Sequence, residues 1–314
     1  MTRSAGKSVV SKARCEIDVV TPYRLDLTVS ALRRLSTNTV DVLTLEGEYL
    51  RALHGFRKPV LVRVVQTQPT TLSVTLEGCD DANERIRASA IVRRILGVER
   101  ELSRFYRAAR DIPWLWPLAV RMRGLKPPRY PTLWEACVNA IVFQQVSLGA
   151  ASSIARRMII ALGVPLKCGT IVLYAFPNAE HFRVADDGIL RAAGLSANKL
   201  STLRRVADAL LSGTLNEAML EERPSPDAAE ILCGIKGIGP WTATVILLRG
   251  LGRLDVFPMR DSSVARNLAF VAGAAAVDVD RVLTELGAQR GMLYYHLLLA
   301  RLDARGEIGR ASVT

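Results

Sequence analysis

Between residues 15 and 80 apolar and polar positions alternate at period two in four runs, "CEIDVV", "TVDVLTLEGEYLRAL", "KPVLVRVVQ" and "TTLSVTLEG". β-Branched side chains at every second place, bounded by Gly, Pro or Asn, predict half-buried strands. One segment among them has a different period. In "PYRLDLTVSALRRL" the residues Leu25, Val29, Leu32 and Leu35 fall on a single helical stripe, so a helix should lie against one face of an antiparallel sheet. From Asp81 the helical period takes over and holds almost to the end, from "NERIRASAIVRRILGV" through "PTLWEACVNAIVFQQVS" to "DVDRVLTELGAQRGMLYYHLLLARLDARG". Many of these segments begin at Pro, Ser or Asp and end at Gly, the usual start and stop signals. The pattern predicts a mixed α+β N-terminal domain at 15–80, a small antiparallel sheet with a helix, followed by a mostly α-helical domain at 81–314, with a basic tail at 1–14.

The helical pattern is interrupted at one informative place. "DAAEILCGI" and "PWTATVILLRG" are apolar helices with only "KGIG" between them, so the chain reverses in a tight hairpin at 234–243 for which glycine supplies positive φ. Pro240 then opens the second helix, where its missing N–H costs nothing. Such a hairpin is either a plain helix connection or an anion site in which backbone amides face a phosphate. Beyond it, "LDVFPMRD" places Asp261, with Ser262 and Ser263, where a helix cap belongs. Asp261 is thus either a cap or a carboxylate held at a helix N-terminus beside the hairpin.

Composition sharpens the choice. The chain has 314 residues, 49% hydrophobic and 23% charged, with net charge +12, a folded protein whose basic balance suits a polyanion, nucleic acid first. No apolar leader follows "MTRSAGKSVVSKAR" and no long uncharged span occurs, so neither secretion nor a membrane partner is expected. Cys15, Cys79, Cys137, Cys168 and Cys233 are scattered without a CxxC pair, and His54, His181 and His296 stand alone. Reduced, intracellular thiols and no metal or other cofactor are expected.

"IKGIGPWTA", with Asp261 following 22 residues after Gly239, resembles the hairpin, Gly/Pro-rich loop and aspartate of the helix-hairpin-helix DNA glycosylase superfamily. "PTLWEACVNAIVFQQVSLGAAS" is similar to the family's early helix with its Gln-containing turn, and "ILRAAGLSANKLSTL" to its central Gly-then-Lys turn. With the mixed N-terminal domain, the chain most resembles the bacterial 3-methyladenine DNA glycosylase II branch, over about residues 15–305.

The resemblance implies a base-excision enzyme that works on damaged duplex DNA as a monomer, in the cytoplasm on a bacterial nucleoid or in a eukaryotic nucleus. Gly237, Ile238 and Gly239 would grip the DNA backbone, with Thr242 beside them, and Asp261 would be the catalytic carboxylate. Trp241 stands where bifunctional relatives carry a Schiff-base lysine, so a monofunctional glycosylase without lyase activity is implied, one acting on alkylated purines of the 3-methyladenine type. A carboxylate stabilises the oxocarbenium character that develops as the N-glycosidic bond breaks, and the base must first leave the stack. Cation–π attraction would favour aromatic walls for a cationic base.

Trp241, Phe143, Trp134, Tyr294 and Tyr295 are candidates for those walls, each also readable as plain core. Leu298 lies near the place where the family carries a late aromatic, and Phe143 where a small residue is usual. These departures leave hypoxanthine, an alkylated pyrimidine or an oxidised base as alternative lesions. A non-enzymatic hairpin protein is the remaining alternative, one in which Asp261 would have no use beside phosphates. In "RMRGLKPPRYP", Leu125 or Pro127 is expected as the wedge that fills the vacated stack, or the segment is only a stiff linker. Gln144 and Gln145 are expected to approach the opposite strand, or merely to close a helix end.

Overall fold

In the computed structural model, residues 11–259, 262–273 and 277–309 are described. The strands are β1 (Lys12–Asp18), β2 (Asp41–Leu43), β3 (Tyr49–Leu53), β4 (Val60–Gln68) and β5 (Thr71–Glu77), with α1 (Leu25–Arg33) between the first two. They form one antiparallel sheet in the order β1-β5-β4-β3-β2. Helices follow: α2 (Ala82–Leu96), α3 (Ser103–Arg110), α4 (Trp116–Arg121), α5 (Leu133–Val142) and α6 (Leu148–Leu162). A further strand pair, β6 (Val164–Cys168) and β7 (Ile171–Ala175), then interrupts the helical run. The remainder is α7 (Ala179–Val184), α8 (Asp187–Ala192), α9 (Ala197–Leu211), α10 (Glu217–Glu221), α11 (Ser225–Cys233), α12 (Pro240–Gly250), α13 (Ser262–Ala272), α14 (Val279–Leu286) and α15 (Gly291–Asp303).

The β6–β7 hairpin departs from the all-helical expectation for this region. Its short "VPLKC" and "IVLYA" runs turn at Cys168–Ile171 around Gly169, whose φ is +59°. Leu173 and Ala175 pack on Leu50, Ala52 and Leu61, so the hairpin covers the sheet face turned away from α1. Around β3 the sheet is therefore covered on both sides, which explains why every residue of β3 is buried.

α1 is also buried on all sides. Its Leu25, Val29 and Leu32 join the core shared by the sheet, α5 and α12. Leu27 and Ala31 join a second core beneath α3, α4 and α15. The proposed boundary near residue 80 is thus a change of secondary structure within a continuous core.

A buried ion pair ties the halves together. Arg51 of β3 donates to Asp41 Oδ1 at 2.5 Å and to both oxygens of Glu135 in α5, at 2.6 and 2.8 Å, while Tyr49 donates its hydroxyl to Asp41 at 2.7 Å. Burial by itself lowers the Arg51 pKa, but Asp41 and Glu135 outweigh it, so the guanidinium stays charged. Removing one partner of such a pair leaves an uncompensated buried charge and typically costs about 3–5 kcal/mol.

Candidate nucleic-acid interface at the helix hairpin

α11 ends at Cys233 and α12 begins at Pro240, so the reversal is as tight as the sequence predicts. Its four central residues have different tasks. Gly237 has φ +104°, and a β-carbon there would lie 1.9 Å from Thr202 Oγ1 of α9. Glycine is required both for backbone conformation and for close approach. Gly239 has an ordinary φ of −97°, and a β-carbon on it would meet nothing within 4 Å. Open space at a helix N-terminus is where an anion approaches. Among the described residues no hydrogen bond engages the amides of Gly237 and Gly239.

Ile238 and Thr242 differ from expectation. The Ile238 side chain is buried, and its N–H already donates to Ile235 O at 2.9 Å. It anchors the hairpin from beneath and offers no free donor. Thr242 is buried too, and its hydroxyl accepts from Gln144 Nε2 at 2.7 Å. What the hairpin leaves open to a ligand therefore reduces to the glycine amides and the first turn of α12, with exposed Lys236 alongside.

Gln144 reaches across from the turn after α5. Its Nε2 also donates to Gly237 O at 3.1 Å, so this side chain clamps the hairpin. Lys199 closes the same turn from α9, donating to Val142 O at 2.8 Å and to Gln144 O at 2.9 Å. A cation at the last carbonyls of a helix opposes the negative end of its dipole; burial lowers the Lys199 pKa. With Gln144 and Lys199 fixed, Gln145 is left exposed, held at φ +54°. A non-glycine residue in the left-handed region carries strain that its surroundings must hold.

The structure does not expose Leu125 or Pro127, the residues expected as the wedge. Both are buried, because the loop is tied down by Lys126, whose amide donates to Thr28 Oγ1 at 3.1 Å and whose Nζ donates to Arg100 O at 2.6 Å. Two of the five aromatic candidates are also core. Trp134 donates to Pro177 O at 2.8 Å and packs edge-on to Phe182. Tyr295 is fully buried with its hydroxyl on Pro128 O at 3.1 Å. Trp241, Phe143 and Tyr294 are only partly buried at the edges of the two cores.

Asp261 lies outside the described residues. The chain leading to it is anchored by Leu254 and Phe257 in the second core, by Leu254 O accepting from Gly291 N at 2.7 Å, and by Arg253, which donates to Leu220 O and Arg223 O. α13 begins at Ser262 directly after it.

Sequence reasoning missed Arg34, which follows α1. It has φ +64°, is 5% exposed, and stacks its guanidinium 3.8 Å from the Phe143 ring centroid. In the sequence it reads only as the second arginine of a helix end. Among the described residues no three metal-binding side chains cluster, and no helix is long and apolar enough to cross a membrane.

No family model matches the chain. The probable bifunctional transcriptional activator/DNA repair enzyme AlkA of Mycobacterium tuberculosis is 30% identical over 207 residues, 64% of this chain and 40% of its own length. A DNA-3-methyladenine glycosylase of Bacillus subtilis is 28% identical over 171 residues, 54% of this chain and 56% of its own. The chain thus spans about half the length of the curated relatives it matches. Among solved structures, the 3-methyladenine DNA glycosylase from Archaeoglobus fulgidus superposes with a TM-score of 0.75 at 24% identity, covering 94% of this chain and all of that one, and shares its fold. By hairpin and by sheet-plus-helix architecture the chain resembles the helix-hairpin-helix DNA glycosylases, and by sequence it is similar to 3-methyladenine DNA glycosylases.

Proposed function

We propose that the chain is a monofunctional DNA glycosylase that removes alkylated purines from duplex DNA, acting as a monomer in base-excision repair. The observation that supports this most directly is the hairpin: open space over Gly239, free glycine amides, and a turn locked against it by Gln144. Amides contact phosphates without reading base sequence, which suits a protein that must survey every position.

In this reading the amides of Gly237 and Gly239 hold one strand while exposed Gln145 enters the stack from the turn after α5. A nucleotide is extruded toward Trp241 and Phe143. The bond between C1′ and the base nitrogen then breaks, its electron pair leaving with the base. Asp261 stabilises the oxocarbenium charge and takes a proton from the water whose oxygen bonds to C1′. The products are a free base and an abasic site. Trp241 has no amine to attack C1′, so strand cleavage does not follow.

The test is release of free base from single-lesion duplexes carrying 3-methyladenine, 7-methylguanine, ethenoadenine, hypoxanthine or an oxidised purine. Release of alkylated bases supports the reading, and a wild-type protein that releases nothing refutes it.

A further inference from the structure

We propose that Arg205 of α9 is a positioning residue for the DNA grip, fixing and polarising the Lys236–Gly237 peptide so that the Gly237 N–H binds a backbone phosphate; the inference rests on the glycosylase reading above. One face of α9 touches both turns that this reading brings to DNA. Lys199, in its first turn, closes the turn after α5. Thr202, three residues on, is the side chain that a β-carbon on Gly237 would strike. Arg205, three further, donates from Nη1 to Lys236 O at 3.2 Å. Residues three apart are neighbours on a helix surface, so a single stripe of α9 holds the two turns in register.

The atom that Arg205 holds decides its role. Lys236 C=O and Gly237 N–H belong to one peptide group, which is planar and trans, so the two bonds point in opposite directions. Holding the oxygen from behind therefore aims the N–H outward, and that amide has no hydrogen-bond partner among the described residues. A cationic donor on the carbonyl also draws electron density from the same peptide, which makes its N–H a stronger donor toward an anion. Arg205 is available for this task, being exposed and paired with no carboxylate among the described residues. The preceding arginine is not. Arg204 commits its fork to the carbonyls of Phe182, Arg183 and Ala185 and to Asp187, none of which belongs to the hairpin.

The test follows the Gly237 and Gly239 amide protons by NMR as undamaged duplex is added to wild type, Arg205→Met and Arg205→Lys. The Gly239 amide, in a peptide that Arg205 does not bond, is the internal reference. In wild type both signals should move downfield. Arg205→Met, with its melting temperature within a few degrees of wild type, should lose most of the Gly237 shift and keep that of Gly239. It should bind damaged and undamaged duplexes about tenfold more weakly, yet release base at the wild-type single-turnover rate once saturated. Arg205→Lys restores a cationic donor and should recover the Gly237 shift. A folded Arg205→Met with wild-type affinity overturns the inference, as does weaker binding with the Gly237 shift intact, which would make Arg205 a direct phosphate ligand instead. A wild type that binds duplex with neither amide moving refutes the hairpin grip and the inference together. A wild type that releases no damaged base refutes the glycosylase reading alone, since the amide shifts are read on undamaged DNA.

Discussion

Gly237 rests against Thr202 with no room for another atom: a β-carbon on the glycine would lie 1.9 Å from the Thr202 hydroxyl oxygen and 2.9 Å from its β-carbon. Gly237→Ala should lower stability by about 1–3 kcal/mol through the clash and the positive φ together. Adding Thr202→Ala should recover part of that loss and no more, since the second β-carbon remains. Urea melts of the two single variants and the double variant check this.

Gly239 should behave differently. Its β-carbon direction is open and its φ ordinary, so Gly239→Val should keep the melting temperature within a few degrees. Affinity for damaged and undamaged duplexes should fall together, because the added side chain stands where a phosphate would approach. If affinity holds, DNA does not rest on this turn.

Asp261→Asn separates catalysis from capping. Loss of the charge should slow single-turnover base release by roughly 10²–10⁴, while duplex binding stays equal or tightens slightly. A cap alone predicts a near-neutral Asn variant and about 1 kcal/mol lost on Asp261→Ala. Rates measured beside melting temperatures distinguish the two.

Borohydride added during turnover should trap no covalent protein–DNA adduct, and strand breaks should appear only after alkali. A trapped adduct would identify an amine nucleophile, and exposed Lys236, on the hairpin itself, would be replaced first to find it.

His296 gives the acid limb of stability. It is buried against Phe105, with Nδ1 2.8 Å from Met292 O, and burial lowers its pKa from 6.5 to about 4. The unfolded chain therefore takes up a proton at a higher pH than the folded one, and this contribution to stability is lost as pH falls from 6.5 toward 4. His296→Phe should flatten that limb in denaturant titrations between pH 7 and pH 4.

Much of the fold and of the hairpin was legible in the sequence because each rests on local rules. Period-two runs became β1 to β5, Pro240 opened α12, and Asp81, Thr132, Ser147 and Ser196 each cap a helix with a side-chain oxygen. What sequence could not supply was which apolar side each residue faces. Leu125, Pro127, Trp134 and Tyr295 carry the right chemistry for a wedge or a pocket, but long-range packing buries them. The same limit hid β6–β7, two short runs stabilised mainly by the sheet they cover, and Arg34, whose environment comes from Phe143, over a hundred residues away.

The buried Arg51–Glu135 contact also has a mechanical consequence. Glu135 lies in the first turn of α5 and Gln144 just past its last, a span of roughly 13 Å at the helical rise of about 1.5 Å per residue. The sheet thus holds one end of a rigid rod whose other end sets the gap between Gln145 and the hairpin. That gap is a calliper calibrated from the far side of the molecule, so a substitution at Arg51 or Asp41, neither of which would touch DNA, should be felt as a change in how far the jaws stand apart.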